Sequence, residues 1–185
     1  MNARATLLLC AGFLAAGHAP AQHGGHGSAA APYAGLQNRE IKALSEEETR
    51  SLLDAQGMRM ALAAELNGYP GPAHVLEHAQ ALALTPSQLA ASRSLMEAHK
   101  AEARALGERT VAAERALDRA FAARALSEAD VDRWTAEIAR LQGELRASHL
   151  RTHLRQTALL TPAQVDRYQH LRGYAAGRPH GGSRR

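Results

Sequence analysis

Ten histidines are spread unevenly along 185 residues, and two pairs have a spacing that could do chemistry. His149 and His153 lie four apart, so on a helix both imidazoles can face one ion, such as Zn2+, Cu2+ or Ni2+. His74-Val75-Leu76-Glu77-His78 matches the H-x-x-E-H pattern, in which two histidines hold zinc and the glutamate activates water. The catalytic reading fails on its surroundings, because the motif falls on a short helical stretch of a small helical chain, with no room for a peptidase's sheet and cleft. A binding pair without catalysis, His74 with His78, remains. Either pair supplies two ligands and needs a carboxylate or a second chain to complete a site. His149 and His153 are the stronger candidates, since they sit near the end of a long helix rather than on a short one after a Gly/Pro-rich break. His23, His26 and His180 fall in flexible ends, where they would hold Cu2+ or Ni2+ weakly. Met58, Met60 and Met96 offer soft sulfur for copper(I), but their spacing is that of core filling. His99 is expected to be a half-buried seam residue. No nucleophile–base pair, phosphate loop or recurring carboxylate couple is present. The chain therefore reads as a non-enzyme that requires no cofactor.

The elements that would position these residues are helical almost throughout, with no alternating strand pattern. Ser45 followed by Glu46, Glu47 and Glu48 opens a helix towards Gln56, with Gly57 as its weak point and Ala61 to Leu66 as a continuation. Asn67-Gly68-Tyr69-Pro70-Gly71-Pro72 is a break, and a helix of about eleven residues is expected from Ala73 to Ala83. From Pro86 to about Arg124 there is no proline and one glycine. A heptad seam runs through Leu89, Ser92, Met96, His99, Ala103, Leu106, Thr110, Ala113, Leu117 and Ala120. Ala125-Leu126-Ser127 makes a hairpin turn, with Ser127 as N-cap and Asp130 three residues on. The return helix places Val131, Trp134, Ile138, Leu141, Leu145 and Leu159 on one face, with Leu150 and Leu154 on the opposite side. A last helix runs from Thr161 through about Tyr174. The expected fold is all-α: a long antiparallel hairpin with short flanking helices, each long helix about 50 Å at ~1.5 Å per residue. An alanine-rich seam of that length buries only a narrow stripe, so a homodimer that covers Leu150 and Leu154 is expected.

Composition bounds the setting. Met1 to Ala21 reads as a cleavable secretory signal: Arg4, an apolar run from Leu7 to Ala16, and the small-x-small site Ala19-Pro20-Ala21. The run is too short to span a bilayer. Large Leu9 before Cys10 argues against lipidation. Cleavage removes the one cysteine, so stability must come from packing without a disulfide. Residues 22–38 read as a flexible His/Gly/Ala-rich linker, 39–175 as the helical domain and 176–185 as a disordered basic tail. The formal charge is +4, and only Lys42 and Lys100 among the 22 basic residues are lysine. Export makes nucleic acid an unsuitable partner for that basic surface and leaves acidic headgroups or unfolded protein as better ones.

Two copies of one phrase, Leu84-Thr85-Pro86-Ser87-Gln88 and Leu160-Thr161-Pro162-Ala163-Gln164, flank the hairpin. In each, threonine is the N-cap, proline takes the first helical position, and glutamine three residues on can complete a capping box. A pair of L-T-x-x-Q motifs around a helical hairpin, over roughly Ala73 to Tyr174, resembles the Spy/CpxP-type periplasmic chaperones and their heavy-metal-resistance relatives. The matching motif positions are Leu84, Thr85, Gln88, Leu160, Thr161 and Gln164. The segment from Met58 to Pro72 resembles the metal-resistance branch. The resemblance implies paired hairpins forming a thin cradle that binds unfolded chains without ATP. It thus implies a soluble periplasmic chaperone of envelope stress, with unfolded envelope proteins as clients and no stable membrane insertion. The alternative is a heavy-metal buffer or an accessory to a metal-responsive regulator, and a weaker one is a structural envelope protein. The membrane-anchored sensors of the family keep an N-terminal helix, whereas this one reads as cleavable, which argues against a sensor role.

Overall fold

Four helices in this chain begin in the same way. Ser45, Thr85, Ser127 and Thr161 each accept a hydrogen bond from the backbone N–H three residues on, whose own side chain reaches back to the cap. Each box satisfies two donors that a helix start leaves unpaired. The structure, a computed structural model, describes residues 31–175. The proposed signal segment, most of the linker, His23, His26, His180 and the basic tail lie outside these residues. Residues 31–34 belong to a unit of their own, and the chain from Gly35 onward forms a second. In that second unit a 3-10 turn (Leu36–Asn38) precedes α1 (Glu46–Leu53), α2 (Leu62–Glu65), α3 (Pro72–Glu77), α4 (Pro86–Ala122), α5 (Glu128–Ala158) and α6 (Pro162–Leu171). There is no strand among the described residues.

The 37-residue α4 and 31-residue α5 form the expected antiparallel hairpin. Along the heptad seam Ser92, His99, Ala103, Leu106, Thr110 and Ala113 are buried, and Leu89, Met96, Leu117 and Ala120 are half-buried. Opposite them Ile138, Leu141 and Leu145 are buried. The two ends of the seam differ in chemistry. Around Leu106, Val111, Ile138, Leu141 and Leu145 it is apolar, joined by Leu52 of α1 and by Ile41. Towards the motifs it is polar: Gln156 Nε2 donates to Ser92 Oγ at 3.0 Å, and Ser148, His149 and Thr152 are buried beside it. Gly107 marks where α1 presses on α4. A Cβ there would meet the backbone of Leu52, with its carbonyl carbon 2.7 Å away.

Several boundaries depart from the sequence reading. α3 has six residues rather than about eleven: the helix stops at Glu77, and the chain turns through Ala83, which holds φ +49. This turn buries Leu82 with Val75 and Tyr168 in a second apolar cluster, and it exposes the Leu82 carbonyl to a partner from α6. α6 ends at Leu171, not at Tyr174, because Gly173 (φ +73) closes it. Tyr174 N–H donates to Gln169 O and Gly173 N–H to His170 O, the two bonds of a Schellman cap. α1 and α4 end on the same pattern, but with Ala55 and Arg124 in the left-handed position. Each such non-glycine residue costs about 1–2 kcal/mol. Leu150 is half-buried and Leu154 is 54% exposed, so no described element covers the outer row of α5.

The two motifs do more than cap their own helices. Gln88 Nε2 donates to Gln164 Oε1 at 2.8 Å, and Gln164 Nε2 donates back to Gln88 Oε1 at 3.0 Å. Gln88 Nε2 also reaches Leu159 O, and Gln164 Nε2 reaches Leu82 O, so each amide claims a carbonyl one or two residues ahead of the other motif. Removing one glutamine takes from the other its amide partner and from the opposite motif a carbonyl bond, in a part-buried site. Gln88→Ala and Gln164→Ala should each cost about 1–3 kcal/mol. In a urea-unfolding cycle the double variant should lose less than the sum of the two, by about 1 kcal/mol. Additive losses would show that the two motifs act separately.

Candidate functional site

A cleft of about 380 Å3 opens between the 55–62 segment, the start of α3 and the motif-proximal half of the hairpin. Its apolar wall comes from Met58, Leu62 and Met96, with Ala55, Ala61 and Pro72. Its polar wall comes from Glu65, His74, His99, His149, Thr152 and His153. Sequence reading had the histidines and methionines of this cleft but not its lid. The 55–59 stretch carries three non-glycine residues at positive φ: Ala55 (+54), Met58 (+43) and Arg59 (+61). No residue type in that stretch signals such a conformation, because the usual signal is glycine or asparagine.

Beside the cleft sits a buried carboxylate. Glu65 closes α2 at 7% exposure, and Tyr168 Oη donates to its Oε1 at 2.5 Å. Arg172 Nε lies 3.6 Å from the same oxygen. Burial, then the contact with Glu65, pushes the Tyr168 hydroxyl well above the ordinary phenol range, so it stays a donor. His74 Nδ1 is 3.9 Å from Glu65 Oε1 and His153 Nδ1 is 3.7 Å from Oε2. Glu65 thus ties α2 to α6 and places two histidines around one carboxylate.

The structure separates the histidine pairs on which a metal site was expected. His153 Nδ1 donates to Tyr69 O at 2.8 Å. Its ring packs so closely on Gly71 that a Cβ there would lie 2.7 Å from Cε1 and Nε2. His149 turns the other way, into the hairpin, where its Nδ1 lies 3.1 Å from His99 Nε2. His99 is therefore more deeply buried than expected, at 8% exposure. His74 lines the cleft, while His78 caps the end of α3 and is not among the lining side chains. The expected partners of each pair are brought to different neighbours. Among the described residues no group of three or more His, Cys, Asp or Glu side chains is disposed to hold an ion. Met96 and Met58 line the cleft, and Met60 packs against the apolar core.

The motif residues Thr85 and Thr161 are N-caps as expected, and Leu84 and Leu160 pack on the Val75–Leu82–Tyr168 cluster. Arg167 Nε additionally donates to the Ala81 carbonyl, fastening α6 to the turn that follows α3. Comparison with family models, with curated proteins and with solved structures finds no match. No described helix is long and apolar enough to cross a membrane.

The Glu65–Tyr168 contact gives a direct test of this end of the molecule. Tyr168→Phe keeps the ring but leaves a buried carboxylate oxygen without its closest donor. It should lower unfolding free energy by about 1–3 kcal/mol in urea without changing the denaturant slope. An unchanged midpoint would mean that Arg172 alone satisfies the carboxylate.

Proposed function

We propose that the chain is an exported Spy/CpxP-like helical hairpin that holds unfolded polypeptides in the periplasm without ATP. The observation that carries this reading is a stretch of apolar side chains left uncovered beside the cleft. Leu53 (38% exposed), Met58 (38%), Leu62 (37%), Leu66 (52%) and Tyr69 (40%) all belong to one segment between the end of α1 and the start of α3. Single exposed apolar residues are ordinary, but here several come from one segment, and two of them, Met58 and Leu62, line the cleft, as a binding surface would have it. Methionines suit a site that must accept varied side chains, since their flexible thioethers repack around different shapes.

Charge supports the same reading. Arginines lie exposed along both long helices, as at Arg93, Arg104, Arg109, Arg146 and Arg155, on a chain of net positive charge. Such a surface attracts acidic segments at long range before apolar contact is made. The doubled L-T-x-x-Q motif, whose two glutamines interlock at the base of the hairpin, supports the family assignment. A second copy of the chain is the natural cover for Leu154, and a homodimer belongs to the proposal. Its check is light scattering at micromolar concentration, where a stable monomer overturns the dimer.

In slight molar excess and without nucleotide, the mature protein should suppress aggregation of an unrelated unfolding client, followed by light scattering. Suppression should weaken as salt rises from about 0.05 to 0.5 M, where the Debye length shrinks severalfold. Leu62→Ser with Leu66→Ser should reduce it severalfold while leaving the circular dichroism unchanged, because both side chains are partly exposed already. Absence of suppression at every salt concentration refutes the reading.

A further inference from the structure

The hairpin seam contains one pair of ionisable groups placed where charge is least tolerated. His99 on α4 and His149 on α5 are 8% and 5% exposed, with rings edge-on and centroids 4.5 Å apart. His99 Nδ1 lies 3.3 Å from Ser148 Oγ and His99 Nε2 lies 3.1 Å from His149 Nδ1. This row holds two neutral rings, or one charged ring donating to a neutral one, but not two charged rings. A neutral imidazole has one N–H and one lone pair, so one ring donates and the other accepts; two imidazoliums would set N–H against N–H. His149 Nε2 is buried with no hydrogen-bond partner among the described residues.

One neighbour, Glu102, favours a charged His99, but burial outweighs it. On α4 the nearest carboxylate is Glu102, which is exposed and lies 3.3 Å from Arg151 of α5. On α5 His153 adds a like charge if protonated. Across the cleft stand Arg59, Glu65 of α2 and His74 of α3; Glu65 Oε1 accepts from Tyr168 Oη with Arg172 Nε at 3.6 Å, and Oε2 lies 3.7 Å from His153 Nδ1. Burial accordingly holds both rings below the ordinary histidine value, with His99 and His153 adding to the effect on His149, which falls to about 4. Facing the pair across the cleft is the 55–59 stretch with its three left-handed residues. Strained backbone of this kind relaxes when its packing is removed, which makes it the first element to yield.

We propose that protonation of the His99–His149 pair releases the 55–61 segment and widens the cleft, so that acidification uncovers more apolar surface. What the widened cleft does rests on the client-binding reading; the opening itself rests on the buried histidine pair and the segment that faces it across the cleft. The sign follows from the depressed values in the closed form. Above pH 6.5 both rings are neutral in either form, and the closed form is favoured. As pH falls below 6.5 the open form takes up protons that the closed form refuses, until the closed-form value near 4 is passed. His149 alone then shifts the equilibrium towards opening by about 30-fold at pH 5.

Hydrogen exchange of the mature protein, read by mass spectrometry on peptides covering 55–61, tests this. After correction for the intrinsic pH dependence of exchange, protection there should fall about 30-fold or more between pH 7.5 and pH 5. His99→Gln with His149→Gln, which keeps hydrogen bonding without a charge, should abolish that fall, and His170→Gln on exposed α6 should leave it intact. If the double variant does not fold, His149→Gln alone should flatten the dependence, and ring titrations of the parent by NMR should place both histidines below 6.5. Unchanged pH dependence in a folded glutamine variant, or ring values at or above 6.5, overturns the switch. A parent whose cleft opens with acid through these rings, but which suppresses client aggregation no better at pH 5, confirms the switch and overturns the client-binding reading.

Discussion

The reciprocal amide pair between Gln88 and Gln164 is the contact on which the motif end of the molecule depends. Two helix starts, 76 residues apart in sequence, meet there with their N-terminal dipole ends side by side. Like-signed partial charges do not attract. The glutamines make the meeting favourable because an amide is both donor and acceptor and can satisfy its twin in both directions. Through Leu82 O and Leu159 O the same pair fixes the chain on entry to each motif, and Leu84 and Leu160 close over Tyr168 beneath it. A neutral pair of this kind is indifferent to pH and nearly so to salt, so the base of the hairpin stays fixed under conditions that alter its surface charges.

Above that base the hairpin is built from two unlike halves. The half nearer the turn is held by apolar burial, with Leu106, Val111, Ile138, Leu141 and Leu145 each worth about 1.5–3 kcal/mol when fully removed from water. The half nearer the motifs buries Ser92, His99, Ser148, His149, Thr152 and Gln156 instead. Buried hydrogen bonds contribute less net free energy than apolar packing, yet they fix register, because a one-turn slip would break the Gln156–Ser92 bond and the Ser148–His99–His149 row. The cleft lies against this polar half. Stability is thus concentrated away from the site, and the site borders the part of the seam whose bonds depend most on protonation state.

Local signals in the sequence carried most of the fold. Threonine or serine with a matching residue three positions on identified four helix starts, and the heptad of small residues from Leu89 to Ala120 identified the buried face of α4. Both are short-range codes, in which the partners lie within a turn or repeat at a fixed period. What stayed illegible was set by distance in the chain. Nothing local marks Glu65 as the acceptor for Tyr168, 103 residues on, or His99 as the partner that draws His149 away from His153. The i, i+4 spacing of His149 and His153 is a true statement about one helix; tertiary packing then gave the two rings different neighbours. The length of α3 was misjudged because Ala73 to Ala83 contains no glycine or proline, and Ala83 adopts a left-handed turn that its residue type does not announce. The end of α6, by contrast, was available in Gly173 and its Schellman bonds.

The arrangement of contacts also implies an order of assembly. Contacts close to the Ser127 turn join residues near in sequence and cost little chain entropy to form, whereas those at the base close loops of many tens of residues. Loop-closure entropy thus favours a hairpin that zips from the turn outward, with α6 docking after it. A chain interrupted at that point would hold two long helices joined along an apolar seam, with Glu65 lacking its tyrosine and the Leu82 carbonyl unclaimed. The base of the hairpin is thus a late checkpoint: only a chain complete through Tyr168 supplies the donor that the buried carboxylate of Glu65 accepts from.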